Sequence, residues 1–392
     1  MTRGHSPMRV PHFLHVFSNF VPTGPELRTI ALIEAFGTRF RHSIVSMDGR
    51  TSAAERLPAG VDVRLLPSPP RAGSLSTARR LRRLLEEEQP DLVLTYNWGA
   101  FDMLLAARGA GFRRVIHHEE GFNEDEAESF KARRVWARRL ALPGIHRLVV
   151  PSERLRTLAT TLWKLPAEKV RLIPNGIPLD RFAPADGNPE LRARLGIPAE
   201  AVVVGTVGSL RKVKNYLRFL EAGAAAPEVR LLLVGDGEER PALEARAAAP
   251  DLAGRVCFAG YQADPAPFYR AMDVFALTSD SEQMPLCLVE AMASCLPAVA
   301  TDVGDVRAML PPEQEPWLTS LDGPGAAGEL ATRMAGLARD PGLRRRLGAA
   351  NRRRAEGRFG FAEMCAAYRG VYESALLAGE VPRSTVLKSI PP

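Results

Sequence analysis

The sequence predicts an α/β protein of two Rossmann-like domains that face each other, each a parallel sheet wrapped by helices. Three observations predict it. Apolar β-like runs alternate with helical patterns through both halves of the chain, which is the pattern of βαβ units. A length of 392 residues accommodates about two domains at roughly 100–200 residues each. Turn formers cluster near residues 176–198, at Asn175-Gly176-Ile177-Pro178 and from Pro184 to Pro198, and mark the linker.

In the first half the strand-like runs are Pro11–Ser18, His42–Met47, Val61–Pro67, Asp91–Tyr96, Arg113–His118 and Arg147–Pro151, with Val170–Pro174 closing the series. Helical patterns such as Glu26–Phe36 and Ser76–Glu88 fall between them. The second series runs Ala201–Val207, Arg230–Val234, Arg255–Phe258, Val274–Thr278, Pro297–Thr301 and Trp317–Ser320. Phe361, Met364, Ala367, Tyr368, Val371 and Leu376 recur at helical spacing and predict a helix over Phe361–Leu377. The proline-rich, polar end, residues 380–392, reads as frayed. There is no sequence-level repeat. Facing domains of this kind make a cleft lined by strand ends and helix N-termini, which favour phosphates.

Composition narrows the class. Hydrophobic residues make up 46% and charged residues 25% of the chain, the balance of a globular protein rather than a disordered one. No apolar stretch reaches the ~20 residues needed to span a bilayer, and the first residues show no signal-peptide cleavage pattern. Cys257, Cys287, Cys295 and Cys365 form no CxxC pair, so they read as free thiols in a reducing, cytoplasmic setting without a zinc site. The net charge of +7 is mostly arginine. Arg79, Arg80, Arg82 and Arg83 share one helix; Lys131, Arg133, Arg134, Arg138 and Arg139 share another, interleaved with Phe130, Val135, Trp136, Leu140 and Leu142. A basic helix with an apolar side suits an anionic membrane. Arg133, Arg134, Trp136, Arg138 and Arg139 are the membrane or acceptor candidates, which would place the protein peripherally on the inner face of the cell membrane. No stacking aromatic series or nucleic-acid-binding motif accompanies the charge, so nucleic acid is not an expected partner.

The segment Ser279 to Ala293, SDSEQMPLCLVEAMA, is the most informative. Glu282 follows an apolar strand, and Glu290 lies two helical turns further on, on roughly the same side. Two ordered but separated carboxylates at a strand's carboxyl end suit a ligand with two sets of hydroxyls, such as a sugar nucleotide. Upstream, Gly205-Thr206-Val207-Gly208-Ser209-Leu210-Arg211-Lys212-Val213-Lys214-Asn215 places glycines and then cations after a strand, a pattern suited to a diphosphate. Pro22-Thr23-Gly24-Pro25-Glu26 stands between the first strand and first helix, where Gly24 allows close approach of a ligand. The strand Val115–His118 leads into a polar group, His117, His118, Glu119 and Glu120, followed by Gly121-Phe122-Asn123. Two neighbouring carboxylates there would push one pKa up. The Glu124-Asp125-Glu126 run reads as a solvated helix start. No Gly-x-Gly-x-x-Gly follows the first strand, which argues against a dinucleotide dehydrogenase.

Taken in order, these motifs resemble the retaining GT-B glycosyltransferases of family 4, over about residues 10–375. Glu282 and Glu290 match the E-x7-E signature. Gly24 and Glu26 match its Gly-Gly-x-Glu loop, with Thr23 for the first glycine. Lys214 matches the lysine of Gly-Arg-Leu-x-x-x-Lys-Gly, with Ser209 where the arginine stands and Arg211 as a shifted source of that charge. Leu233 to Gly237 is similar to Val-Gly-x-Gly, and Phe258-Ala259-Gly260-Tyr261 to the segment that holds the nucleobase.

The resemblance implies an acceptor-binding domain over 1–180, a donor domain over 181–360, a helix over 361–380 packing back on the first domain, and a flexible tail over 381–392. It implies that Glu290 holds ribose hydroxyls, Glu282 holds sugar hydroxyls, and Arg211 and Lys214 stabilise the departing diphosphate. Gly24, Gly208, Ser209, Gly260, Tyr261, Gln283, Met284, Pro285 and Leu286 complete the donor site. A histidine near the 117–120 group contacts the sugar in the family, and here His117, His118, Glu119 and Glu120 are four candidates for that place. The absence of Asp-x-Asp argues against a metal-dependent transferase of the other fold class. The expected activity is transfer from a nucleoside-diphosphate sugar, UDP favoured over GDP, with neither metal nor cofactor. The acceptor would be a lipid-linked or membrane-proximal hydroxyl of polysaccharide or glycolipid synthesis. Departures at Thr23, Ser209 and the His/Glu group leave two alternatives: a sugar-nucleotide-binding protein with degenerate catalysis, and a GT-B sugar-nucleotide epimerase.

Overall fold

Two all-parallel sheets carry the fold. The computed structural model describes residues 9–69, 73–121, 130–184, 187–321, 323 and 325–378. The 381–392 tail and the Glu124–Glu126 run lie outside the described residues.

The chain divides into two units by contacts: Met1–Val150 with Leu155–Ile173 and Cys365–Pro392, and Pro151–Arg154 with Pro174–Met364. In the first unit the strands are β1 (His12–Phe17), β2 (Arg41–Ser46), β3 (Val63–Leu66), β4 (Leu92–Tyr96), β5 (Val115–His118), β6 (Arg147–Val150) and β7 (Val170–Leu172). They lie in the order β3-β2-β1-β4-β5-β6-β7. Every pairing is parallel, with Val16 opposite Val45 on β2 and Leu14 opposite Val93 on β4. Helices on a parallel sheet bury both its faces, so β1, β4 and β5 are buried at every residue. Leu14, Val16, Val93, Leu81, Met103, Leu104, Leu148 and Trp163 share the main core. From Cys365 onward the Phe361–Leu377 helix belongs to this unit, and its Tyr372 ring meets Phe13 and Phe36 edge-on.

The second unit holds β8 (Val202–Val207), β9 (Val229–Val234), β10 (Val256–Phe258), β11 (Val274–Leu277), β12 (Ala298–Thr301) and β13 (Leu318–Thr319). Their order is β10-β9-β8-β11-β12-β13, again wholly parallel. One face of this sheet packs Val203, Phe275, Leu288, Met292 and Phe359; the other packs Val204, Phe219, Leu233, Ala276 and Leu330. Among the described residues, no helix is long and apolar enough to cross a membrane. The four cysteines are free thiols.

Candidate functional site

In each sheet the strand order reverses beside the first strand of the series, between β1 and β4 and between β8 and β11. Loops leaving the carboxyl ends of such strands part in opposite directions, and that is where open α/β sheets take ligands. The second unit builds its cluster there. After β8 the chain turns at Gly208, where a Cβ would come within 2.6 Å of the Tyr216 hydroxyl. The next residues run through a 3-10 turn, Lys212–Lys214, into the Tyr216–Ala224 helix, which Asn215 caps by accepting from the Arg218 N–H. After β11 the chain enters the Ser279–Pro285 loop and then the Leu286–Ala293 helix.

The two loops are stitched together. Lys214 Nζ donates to Glu282 Oε1 at 2.6 Å, and Ser279 Oγ donates to the same oxygen at 2.7 Å. Both charged side chains are largely shielded, Lys214 at 18% and Glu282 at 9% exposure. Arg218 adds a bond to the Thr278 carbonyl, and the Asp280 N–H donates to Val213. A third loop, after β12, supports Glu282 from behind. Asp305 N–H donates to the Gln283 carbonyl at 3.0 Å. Gly304, in the left-handed region at φ +59°, lies so close that a Cβ would sit 2.0 Å from the Glu282 carbonyl oxygen. Beside this cluster Arg211 Nε donates to Ser209 Oγ at 3.1 Å, so its guanidinium is drawn onto the position where the sequence lacked an arginine.

Glu290, one turn into its helix, is held by the Tyr269 hydroxyl at 2.7 Å. Burial pushes its pKa up to about 7, against the pull of the Tyr269 bond and Arg181. The same burial holds the Cys287 thiol up at about 12. Met284 is buried, its Sδ accepting from the Asn175 N–H; Pro285 stands at the start of the helix, whose first residue is Leu286. At the end of β10, Gly260 accepts from the Gly235 N–H, and the Tyr261 side chain stands open, 64% exposed. Among the described residues, no group of three histidine, cysteine or carboxylate side chains is arranged to hold a metal ion. Tyr269 and Ser279 escaped the motif reading. Tyr269 lies outside the motifs, on the Ala266–Arg270 helix, and a serine three residues before Glu282 carries no signal of its own.

In the first unit the polar group expected at the end of β5 is held by partners of its own unit. His117 and His118 are residues of β5 itself, fully buried. Central strands of a covered parallel sheet have no open side, so their polar groups look for partners within the unit, although His117 Nε2 comes no closer to one than 3.7 Å, to Glu119 Oε2. His117 Nδ1 is bonded to Thr95 Oγ1 at 2.8 Å, and His118 bridges the Thr95 carbonyl and the Tyr372 hydroxyl. Glu119, also buried, accepts from Arg138 Nε at 3.0 Å. Despite burial, Arg138 holds the Glu119 carboxyl below the usual range. Glu120 forms a two-pronged pair with Arg28, whose guanidinium lies over the Tyr368 ring. These four residues thus have partners within the first unit, and Arg28 is a partner that spacing gave no means of finding. Thr23 stands at the N-cap position of the first helix, its hydroxyl donating to the Glu26 carboxylate rather than capping a backbone N–H, while Gly24 begins that helix with open space around it.

A correction concerns the Ala132–Ala141 helix. Arg138 was expected on its membrane face, yet it is 1% exposed, packed between Trp98 and Trp163 with its charge on Glu119. Arg134 also lies against Trp98. The apolar residues are the ones turned out: Trp136 is 60% and Leu140 64% exposed, with Arg133 beside them and Arg139 over the Trp136 ring. Helical geometry puts 134, 138 and 141 on one side and 133, 136 and 140 on the other. The buried anion on β5 decides which side faces in.

Comparison with known proteins covers both units. The family profile described as glycosyl transferases group 1 matches residues 187–354, and that described as glycosyl transferase 4-like domain matches residues 23–176. The chain is 32% identical over 274 residues to a GDP-mannose-dependent alpha-mannosyltransferase of Mycobacterium tuberculosis, covering 67% of this chain and 70% of that one. It is 29% identical over 253 residues to the UDP-Gal:alpha-D-GlcNAc-diphosphoundecaprenol alpha-1,3-galactosyltransferase of Escherichia coli, covering 62% of this chain. The match spans 65% of that relative's length, and 42% of a lipopolysaccharide core glycosyltransferase of Rhizobium meliloti. The Anabaena protein Alr3699/HepE, solved in complex with UDP, shares the fold at a TM-score of 0.79 and 22% identity, over 93% of this chain and all of that one.

Proposed function

The chain belongs to the glycosyl transferases group 1 family, and from that premise we propose that it is a retaining, metal-independent transferase. It would move a sugar from a nucleoside diphosphate, UDP ahead of GDP, to an acceptor hydroxyl. The observation that carries this reading is the Lys214–Glu282–Ser279 cluster at the reversal point of the second sheet, with Arg211 beside it. In the free protein Lys214 neutralises Glu282. An arriving diphosphate offers Lys214 a second anion, and Glu282 can then accept from sugar hydroxyls. As the glycosidic bond breaks, charge grows on the leaving phosphate, and Lys214 and Arg211 stabilise it. The acceptor attacks the face the diphosphate leaves, and the leaving phosphate takes its proton. Glu290, two helical turns along, accepts from the ribose.

The acceptor is proposed to be lipid-linked, with the protein peripheral on the inner face of the cell membrane. The exposed Trp136 and Leu140 among Arg133, Arg139 and Lys131 support this, because a bilayer interface rewards indole and aliphatic groups flanked by cations. So does the diphosphoundecaprenol acceptor in the E. coli relative's name. The UDP bound by the Anabaena protein supports the choice of base.

Calorimetry with UDP, GDP and ADP and their sugar conjugates, with and without divalent metal, tests the reading. One nucleotide should bind without metal. Glu290→Ala should weaken that binding, whereas Glu282→Ala should keep it and abolish transfer. Wild-type kinetics in both variants would remove the proposed donor site.

A further inference from the structure

Glu290 is not positioned by its own helix alone. Tyr269 reaches it from the Ala266–Arg270 helix, with its hydroxyl 2.7 Å from Glu290 Oε2 and 3.1 Å from the Cys287 carbonyl oxygen. The Tyr269 ring is fully buried, set edge-on to Phe182 and tilted against Phe275. One hydroxyl proton can point squarely at only one of the two acceptors. With Glu290 ionised, the proton points at the carboxylate. With Glu290 protonated, the carboxyl donates to the phenol oxygen, and the Tyr269 proton turns to the Cys287 carbonyl. The group that changes charge with pH here is Glu290, because burial holds the phenol's pKa well above its ordinary value.

We propose that Tyr269 is the positioning residue that fixes the orientation and charge of Glu290, and that it thereby couples nucleotide binding at this site to pH. The inference rests on the donor-site reading of Glu290. Other charged groups face Glu290 from the elements around it. Arg181, in the linker, favours the ionised form, and Asp264, which pairs with Arg181, opposes it. Arg270 lies on the helix that carries Tyr269. Arg352, paired with Glu356, comes from the Pro341–Arg358 helix and donates to the carbonyls of Ala293 and Leu179. Cys287 shares the helix with Glu290, and the Lys214–Glu282 pair lies beyond it. None of these makes a direct bond to the carboxylate in the way Tyr269 does.

Tyr269→Phe keeps the ring and removes the hydroxyl. The ligand-free titration of the Glu290 carboxyl carbon is followed by NMR, and UDP affinity by calorimetry, between about pH 5.5 and 9. Glu290→Gln serves as the baseline, since its profile contains only the ionisation of UDP itself. Above that baseline, wild-type affinity should rise with pH as the carboxylate forms and accepts from ribose hydroxyls. In Tyr269→Phe both midpoints should move up by about one pH unit, so affinity near pH 7 falls by up to about tenfold and recovers near pH 9. Unmoved midpoints in Tyr269→Phe would overturn the proposal. Failure of UDP to bind the wild type would instead overturn the donor reading. The carboxyl titration would then decide alone: a shift in Tyr269→Phe sustains control of Glu290 by Tyr269, and no shift refutes it.

Discussion

Replacing Arg138 with methionine puts the inward reading of the Ala132–Ala141 helix at risk. The pair it makes with Glu119 is 1% exposed on both sides. Removing one partner of a buried pair leaves a charge without compensation and costs about 3–5 kcal/mol. The guanidinium also lies 5.1 Å from the Trp98 centroid and 4.9 Å from that of Trp163, contacts worth roughly 0.5–2 kcal/mol each. Methionine fills much of the volume, so the charge dominates, and an overall loss of about 4 kcal/mol is expected at pH 7.5. Urea unfolding followed by tryptophan fluorescence reads the first unit directly through Trp98 and Trp163. The pH dependence has a definite sign. In the wild type the Glu119 carboxyl lies below its ordinary value, so the pair stabilises above pH ~4.5 and loses its effect as pH falls through the folded value. In the variant the orphaned carboxyl takes up a proton on acidification, and the deficit narrows. Glu119→Gln combined with Arg138→Met should recover much of the loss, since no buried charge remains. A solvent-facing arginine would change stability by within about 0.5 kcal/mol. A loss below ~1 kcal/mol that does not vary with pH would therefore refute the buried pair.

Three further outcomes are expected. Trp136→Ser with Leu140→Ser should leave the melting temperature unchanged but reduce co-sedimentation with phosphatidylglycerol vesicles by tenfold or more, at about 1.5–3 kcal/mol per inserted side chain; undiminished sedimentation would end the membrane proposal. Gly304→Ala drives a Cβ against the Glu282 carbonyl and should cost about 1–3 kcal/mol and depress turnover. Gly60→Ala, also at positive φ but with open space, should cost only about 1 kcal/mol and leave turnover intact, so equal effects would count against the steric argument. Glu290→Gln should stabilise the ligand-free protein at high pH. A carboxyl raised from 4.5 to about 7 loses stability as pH rises through that window, at most about 3 kcal/mol by pH 8. Melting temperatures that differ as much at pH 4.5 as at pH 8 would sink it.

Much of the fold was legible because a parallel sheet covered on both sides asks for short apolar runs, and the chain supplies them without ambiguity. Each strand from β1 to β13 overlaps a run read from the sequence, with ends moved by a few residues at most, as at Val229 against Arg230. The second-unit cluster was legible for a different reason: Lys214 and Glu282 follow strands in segments that resemble the family's motifs. Tyr269 was not, since its contact with Glu290 is made only by packing between helices. The Ala132–Ala141 helix misled at Arg138 because an arginine is ordinarily counted among the outward positions. Arg138 inverts that rule because Glu119, at the end of a buried strand, requires a cation. A carboxylate stranded beyond an apolar run was the one signal that could have warned of it.

The buried histidines have a consequence for where this protein survives. All 7 histidines precede residue 150 in the sequence, so the second unit contains none. His15, His42 and His118 sit beneath the first unit's helices, and burial drives their protonation far down, to about 4 for His42. An unfolded chain takes up those protons near pH 6.5 while the folded one refuses them, so each such ring withdraws stability from the first unit as pH drops below that value. Glu290 works the other way, since acidification relieves the second unit of a buried charge. Mild acid thus acts on the two halves with opposite sign. Acidification would loosen the unit proposed to meet the acceptor before the unit proposed to hold the nucleotide, and the second unit would stand with its Glu290 protonated and its hold on the donor weakened.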